Sequence, residues 1–384
     1  MKRTFAAVMV VLLARPALGE QTDTGKEVSA SVEKPSRRLL RLPLGKRGYL
    51  EFGGLMQGWF MNTFDDNEPY VGLGATRSTF RLRRGEVRLA GEITPEVSFK
   101  LMFDVAKVLE FGSKSLTVSN ATAADASKPV TVAASQPTGR TSVLQDFNLT
   151  FKFIPYANLS MGQYKTPLSL EGLTSSGLLT FIERSEVGRI FGDQRDMGLW
   201  AWYRWKRFAY FVGFYNGAGA NNLDTTTNKE LMLRFELMPF DGLYLATSLQ
   251  RTLADDVVGT AAFGGEKTVV GADAQLKMGG FTAQGEFYYS KAIAKDTLQE
   301  TRPKGGYVSL AHLFPIGNYG LQPAVRFDVF DPDENTKDDD YWRLTIGTNL
   351  RLAGPNAMLQ LNYTHSHYAQ KTNDLVLLNA QISY

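Results

Sequence analysis

The sequence predicts an all-β fold, a transmembrane antiparallel β-barrel of about sixteen strands. Three observations carry this expectation. From residue 49 onward, segments of about ten residues alternate apolar and polar side chains, the period of a strand with one face in lipid and one in water. The connections between these segments alternate short and long. Beyond the N-terminus there is no apolar run of about 18 residues, which excludes a helical membrane span.

The N-terminus reads as a secretory leader. Lys2 and Arg3 form a basic start, Phe5 to Ala14 a short apolar core, and Ala17-Leu18-Gly19 a small-x-small cleavage site. Residues 1–19 are therefore expected to be a signal peptide, with export to a bacterial outer membrane. The whole chain carries 42 Lys+Arg against 39 Asp+Glu. Three of the basic residues, Lys2, Arg3 and Arg15, lie in the leader, so the remainder balances at 39 to 39. No bulk basic field points to nucleic acid, and any preference for anions must come from local placement. Cysteine is absent, so no disulfide staples the fold. The 24 Phe, 16 Tyr and 36 Gly suit strands, aromatic girdles and tight turns. No cofactor or metal is expected.

Residues 20–48 are polar and basic, with Pro35, Pro43 and Arg37-Arg38, and are expected to form a flexible periplasmic segment before a barrel at 49–384. Strands are predicted at 49–61, 79–92, 97–111, 141–154, 158–166, 196–205, 207–216, 229–238, 243–252, 267–278, 281–290, 304–314, 319–330, 341–352, 357–367 and 374–384. In the third, Val97, Phe99, Leu101, Phe103 and Val105 share one face, while Ser98, Lys100, Met102 and Asp104 share the other. In the fourth, Asp146, Asn148, Thr150 and Lys152 alternate with Phe147, Leu149, Phe151 and Phe153. Glu51, Glu236, Asp273, Glu286 and Asp328 also fall on the predicted water-facing side. The last strand places Val376, Leu378, Ala380, Ile382 and Tyr384 on one face, with an aromatic end suited to an interfacial girdle.

Short turns are predicted at Thr94-Pro95-Glu96, Pro155-Tyr156-Ala157, Pro239 to Gly242, Gly279-Gly280 and Ala353 to Asn356. Long connections fall at 112–140, 167–195, 217–228, 253–266, 291–303 and 331–340. Short turns are expected on the periplasmic side and long loops outside. The Ala-, Ser- and Thr-rich stretch 112–140 is of low complexity.

Several motifs carry a resemblance. Phe80-Arg81-Leu82-Arg83-Arg84-Gly85-Glu86-Val87-Arg88-Leu89-Ala90-Gly91 and Met161-Gly162-Gln163-Tyr164-Lys165-Thr166-Pro167-Leu168-Ser169-Leu170-Glu171 are two of them. Phe181-Ile182-Glu183-Arg184 and Arg195-Asp196-Met197-Gly198 follow in order, then Asn216-Gly217, Arg234 with Pro239, and Pro323 with Arg326. In this series the chain resembles the phosphate-selective porin O and P family over residues 49–384. The resemblance implies a sixteen-stranded trimeric porin whose third loop folds inward. Its surroundings would be outer-membrane lipid and lipopolysaccharide, and its cargo small anionic or polar solutes.

The second strand makes physical sense of the first motif. Phe80 and Leu82 share one parity, Val87 and Leu89 the other, so the strand must change phase, through a bulge expected at Gly85. The bulge lets Arg81, Arg83, Arg84 and Arg88 all avoid lipid, where each would cost about 2–4 kcal/mol at mid-depth. With Lys100 and Lys152 on the next two strands, they form the candidate anion pathway. The competing reading is that the four arginines only brace the wall by pairing with Glu86, Asp104 and Asp146. The loop 167–195, with Lys165 at its start, holds Glu171, Glu183, Arg184, Glu186, Arg189 and Arg195 and is the candidate constriction. Its mixed signs dilute a cationic eyelet, which argues against strict phosphate specificity.

Three other readings are open at this stage. A soluble solenoid or sandwich would share the alternation but not the alternating connection lengths. An outer-membrane enzyme would need a nucleophile near His365 or His367, which share an outward face with Leu359, Leu361 and Tyr363. A plugged structural barrel would have no open lumen. Asp331, Asp333 and Asn335 imitate the start of a calcium loop, but Thr336 and Trp342 stand where Gly and Glu are needed, so a solvated loop is expected.

Overall fold

The computed structural model describes residues 40–64, 78–112, 143–253, 265–294, 297–368 and 371–384. The expected leader, most of the segment 20–48 and the stretch 113–142 lie outside the described residues. Among the described residues, sixteen long antiparallel strands pair in chain order. They are β1 (Gly48–Thr63), β2 (Ser78–Thr94), β3 (Val97–Asp104), β4 (Leu144–Ile154), β5 (Ala157–Lys165), β6 (Arg195–Arg204), β7 (Phe208–Tyr215) and β8 (Lys229–Leu237). The other half comprises β9 (Leu243–Leu253), β10 (Glu266–Met278), β11 (Phe281–Ile293), β12 (Lys304–His312), β13 (Tyr319–Asp331), β14 (Tyr341–Arg351), β15 (Ala357–Tyr368) and β16 (Lys371–Ser383). The sheet closes where β16 pairs with β1, Leu375 opposite Thr63 and Ser383 opposite Leu55. Closure removes every long edge, which a membrane-spanning sheet requires.

The barrel is inverted relative to a soluble protein. Along β13, Val325 and Phe327 are exposed while the neighbouring Arg326 and Asp328 are buried. The apolar face therefore meets lipid and the polar face fills the interior. Strand direction reverses through tight turns at one end. Gly279 and Gly280 both adopt positive φ, 55° and 89°, which side chains resist and a two-residue hairpin of this hand demands.

Three boundaries differ from the sequence expectation. The strand predicted to run to residue 111 ends at Asp104, and Val105–Gly112 is a 3₁₀ helix. The Asp104 carboxylate accepts the backbone N–H of Gly85 at 2.9 Å and of Ala106 at 3.2 Å, taking a donor the ladder would need. The bulge in β2 falls earlier than Gly85. Gln57 opposes Arg84 and Gly58 opposes Leu82, leaving Arg83 as the extra residue. At the N-terminal side, Leu40–Leu44 pairs with the start of β1, so the boundary placed at 48/49 cuts through a hairpin.

Candidate functional site

The connection between β5 and β6, residues 166–194, hydrogen-bonds lumen-facing side chains of β1, β2, β8, β9, β11 and β13 to β16. A segment that meets opposite walls lies within the ring they form.

Its first turn is seated on a charged wall. The carbonyl of Leu168 accepts from Arg234 Nη1 at 2.8 Å, Ser248 Oγ at 2.8 Å and Tyr288 OH at 2.7 Å. Ser169 caps the short helix α1 (Leu170–Leu173) by accepting the N–H of Gly172, and its hydroxyl donates to Glu286 at 2.6 Å. Glu286 also accepts from the N–H of Glu171 at 2.7 Å and from Tyr307 OH at 2.9 Å. Behind it, Arg234 grips Asp273 with two bonds of 2.9 and 2.8 Å, and reaches Glu236 at 3.0 Å. These side chains are fully buried, so each charge depends on the other.

The loop is tied to itself at its neck. Glu171 accepts the N–H of Ser185 at 2.7 Å and its hydroxyl at 2.5 Å. Burial, outweighing the nearby Arg326, pushes the Glu171 carboxyl above the usual carboxylate range. The two arms cross at Gly172 and Gly192, where a Cβ on Gly172 would lie 2.3 Å from the Gly192 backbone. Only glycine permits that approach.

The tip rests on neutral amides. Asn349 Nδ2 donates to the carbonyl of Thr180 at 2.8 Å, Gln381 Nε2 to that of Gly177 at 2.8 Å, and Asn362 Oδ1 accepts the N–H of Ile182 at 2.8 Å. Apolar residues complete the seat. Ile182 packs with Trp59, Met61, Leu375 and Leu377, while Val187 and Phe191 pack with Val269, Tyr288, Tyr307 and Phe330. Burying each such side chain is worth about 1.5–3 kcal/mol.

The sequence-predicted cations gather beside this loop, each with a partner. Arg83 Nε donates to Glu183 at 3.1 Å, Arg88 bonds Glu86, and Arg84 Nη1 donates to the Gln57 amide oxygen at 2.7 Å. Lys100 lies 3.4 Å from Asp146, which also accepts from Arg195 at 2.8 Å. Lys152 sits farther along, paired with Glu92 at 2.7 Å. Arg189 and Arg343 share Glu186. Arg184 is buried among the backbone carbonyls of Glu171 and Thr174, and Lys165 donates to those of Gly172 and Thr174. Arg81 is half-buried on the same lumen face. Burial opposes ionisation of Glu183, yet Arg83 and Arg84 outweigh it and hold its carboxyl down at about 2.

Of the braces anticipated for the arginines, Arg88 with Glu86 is present, and the others take different partners. Asp104 serves backbone N–H groups, and Glu183 of the loop takes Arg83. Asp193 escaped sequence reasoning, because one Asp in an irregular stretch carries no periodic signal. Elsewhere, His365 Nδ1 lies 2.7 Å from Asp374 and its ring meets Trp342 on the outer face, whereas Ser366 points to Arg343 on the other side. Asp333 accepts from the N–H groups of Arg302 and Asn335, capping its own turn.

A closed sixteen-stranded barrel, apolar outside and charged within, and similar to porins, is an outer-membrane porin. The sequence profile described as phosphate-selective porin O and P matches residues 55–251 and 250–382. The chain belongs to that family. Among solved structures, the anion-selective porin from Comamonas acidovorans is similar with a TM-score of 0.59 at 10% identity, covering 88% of this chain and 100% of that one. The trimer form of in-vitro folded OmpT from Vibrio cholerae gives a TM-score of 0.55 at 11% identity, covering 88% and 100%. OmpF of Salmonella typhi in complex with daunomycin gives 0.58 at 10% identity, covering 90% and 100%. At such identities the likeness concerns the fold. A search of curated proteins found no match.

Proposed function

We propose that this porin passes small hydrophilic solutes by passive diffusion, with a modest preference for anions such as phosphate, that it works as a homotrimer, and that it catalyses no reaction. The observation that carries the preference is which member meets the water in four of the ion pairs beside the loop. The Arg83 side chain is 18% exposed and Glu183 8%; Lys100 is 27% exposed and Asp146 3%. Arg88 against Glu86 and Arg189 against Glu186 show the same order. Carboxylates stand behind, cations in front, so a permeating ion meets guanidinium and ammonium heads first. Lys152 with Glu92, Arg326 with Glu171, and the pairs of Asp193 do not follow this order and temper the preference. The loop narrows the path beside these heads, and its acids limit the field to preference rather than exclusion. The similar anion-selective porin and the trimeric OmpT support the selectivity and the assembly.

Reversal potentials across a KCl gradient in planar bilayers test the selectivity. The wild-type channel should favour chloride. Replacing Arg83 and Arg88 together with Gln should move the potential toward cation permeation, most clearly at low salt. The Debye length is about 10 Å at 0.1 M and about 3 Å at 1 M, so the field fades as salt rises. A cation-preferring wild type, or an unmoved double variant, would assign these arginines to bracing alone.

A further inference from the structure

The lumen wall from β5 to β8 carries a run of stacked rings. Tyr164 of β5 stacks on Trp200 of β6, with centroids 5.9 Å apart and planes at 17°. Trp200 stacks in turn on two rings of β7, on Phe211 at 6.2 Å and 16° and on Tyr215 at 5.9 Å and 13°. Alternation puts Trp200 and Trp202 on the same inward face as Asp196 and Arg204. Trp200, Phe211, Tyr215 and Met232 are buried, and Tyr164 and Trp202 pack against them while staying half-buried. A barrel interior of this kind is otherwise polar, and apolar surface left to water there marks a binding surface.

The body of the inward loop is bonded elsewhere, to β8, β9, β11 and β13 to β16, and it meets β5 and β6 at its neck through Lys165 and Arg195. The register sets Tyr164 opposite Asp196 and Asn158 opposite Trp202. The two half-buried rings are therefore about 20 Å apart along the strands, at about 3.3 Å per residue. A cation stands beside each. Lys100 Nζ lies 4.9 Å from the Tyr164 ring centroid, and its side chain is 27% exposed although Asp146 stands 3.4 Å away. Arg204, two residues beyond Trp202 on the same face, is 18% exposed and bonded to Glu236.

The hydroxyls between these stations are already bonded. Thr150 Oγ1 and Ser160 Oγ lie 2.8 Å apart, and Ser160 Oγ accepts from Trp202 Nε1 at 3.0 Å. Both hydroxyl residues are buried. A sugar laid on the rings would find these partners taken, whereas a plain flat ring asks for none of them.

We propose that β5 to β8 form a track for ring-bearing anions, aromatic carboxylates foremost, with the flat face of the solute on Tyr164 or Trp202 and its carboxylate on Lys100 or Arg204. The track rests on the anion-favouring lumen proposed above and adds the class of solute. The ring gains an offset-stacked partner and the carboxylate a solvent-facing cation, two requirements that an inorganic anion and a neutral ring each meet only by half. Two stations of modest grip in series let a solute enter and leave, as conduction requires.

The test uses the full-length protein in planar bilayers in KCl. The half-blocking concentration of the chloride current is read for benzoate, acetate and benzyl alcohol. Benzoate should half-block at a concentration about fivefold lower than acetate, the effect of one stacked ring pair. Benzyl alcohol, a ring without the charge, should block more weakly than benzoate. Tyr164→Leu combined with Trp202→Leu should make benzoate and acetate equal. Tyr164→Phe combined with Trp202→Leu, which restores one ring, should recover part of the difference. Equal block by benzoate and acetate in the wild type overturns the proposal, as does equal block by benzyl alcohol. So does a benzoate preference that survives loss of both rings in a barrel of wild-type heat-modifiability. If the leucine variant does not insert, the wild-type ratios alone decide. A cation-preferring wild type would instead overturn the selectivity proposed above, because benzoate and acetate carry the same charge and their ratio does not depend on it.

Discussion

Arg234 shows what a charge inside this wall requires. Its guanidinium has no exposed surface, and its donors go to Asp273, Glu236, Tyr244 and the Leu168 carbonyl. Removing one member of such a pair leaves the others buried without compensation, at a cost of about 3–5 kcal/mol. Arg234→Leu should therefore lower the unfolding free energy read from a urea titration by about that amount, with a lower midpoint, and loosen the loop start. Asp241→Asn, which breaks a fully solvated pair with Arg207, should leave the midpoint unchanged. An Arg234 variant as stable as wild type would show that Asp273 and Glu236 are satisfied by other donors. Alternation made Glu236, Asp273 and Glu286 legible as lumen-facing, since the period of two assigns a face to every strand residue. It could not name their partners, because pairing depends on the register between strands. Arg83 illustrates the same limit. The parity clash between Leu82 and Val87 demanded a bulge, but its position was decided by Arg84 reaching Gln57 on the neighbouring strand.

Among the elements, the loop between β5 and β6 is the one the proposed function places at the constriction. Its length and the patch Leu178-Leu179-Phe181-Ile182 marked it in the sequence. What seats it did not show there, since its partners lie far along the chain: Asn349 is 169 residues from Thr180, and Gln381 is 204 from Gly177. Such contacts leave no local signature. Deleting residues 174–190 should raise unit conductance, because the segment lies across the lumen and its removal opens cross-section. Unchanged conductance in a correctly assembled barrel would mean that the ions pass elsewhere. By contrast, most strand boundaries were readable to within a few residues, because the lipid enforces alternation. The exception at Asp104 arose where a side chain captured backbone donors, which periodicity does not register.

For the whole molecule, the apolar outer surface is broad enough that one part can face copies of the same chain while the rest faces lipid. A homotrimer should run on a semi-native gel as a large species that collapses to monomer after boiling. A single monomer band both before and after heating would contradict it.

The seam between β1 and β16 has a consequence for how the molecule comes into being. Gln57 and Gln381 bond across it at 2.6 Å although 324 residues separate them, and Gly54 exchanges backbone bonds with Tyr384 of 2.9 and 3.2 Å. Loop-closure entropy makes pairings of such separation late events. Until the last strand arrives, every nascent sheet carries two raw margins whose donors and acceptors would pair with any neighbouring chain. Biogenesis of this barrel is thus a problem of guarding two edges until they can meet, and an assembly apparatus that shelters those edges would speed maturation more than one that merely hastens strand formation.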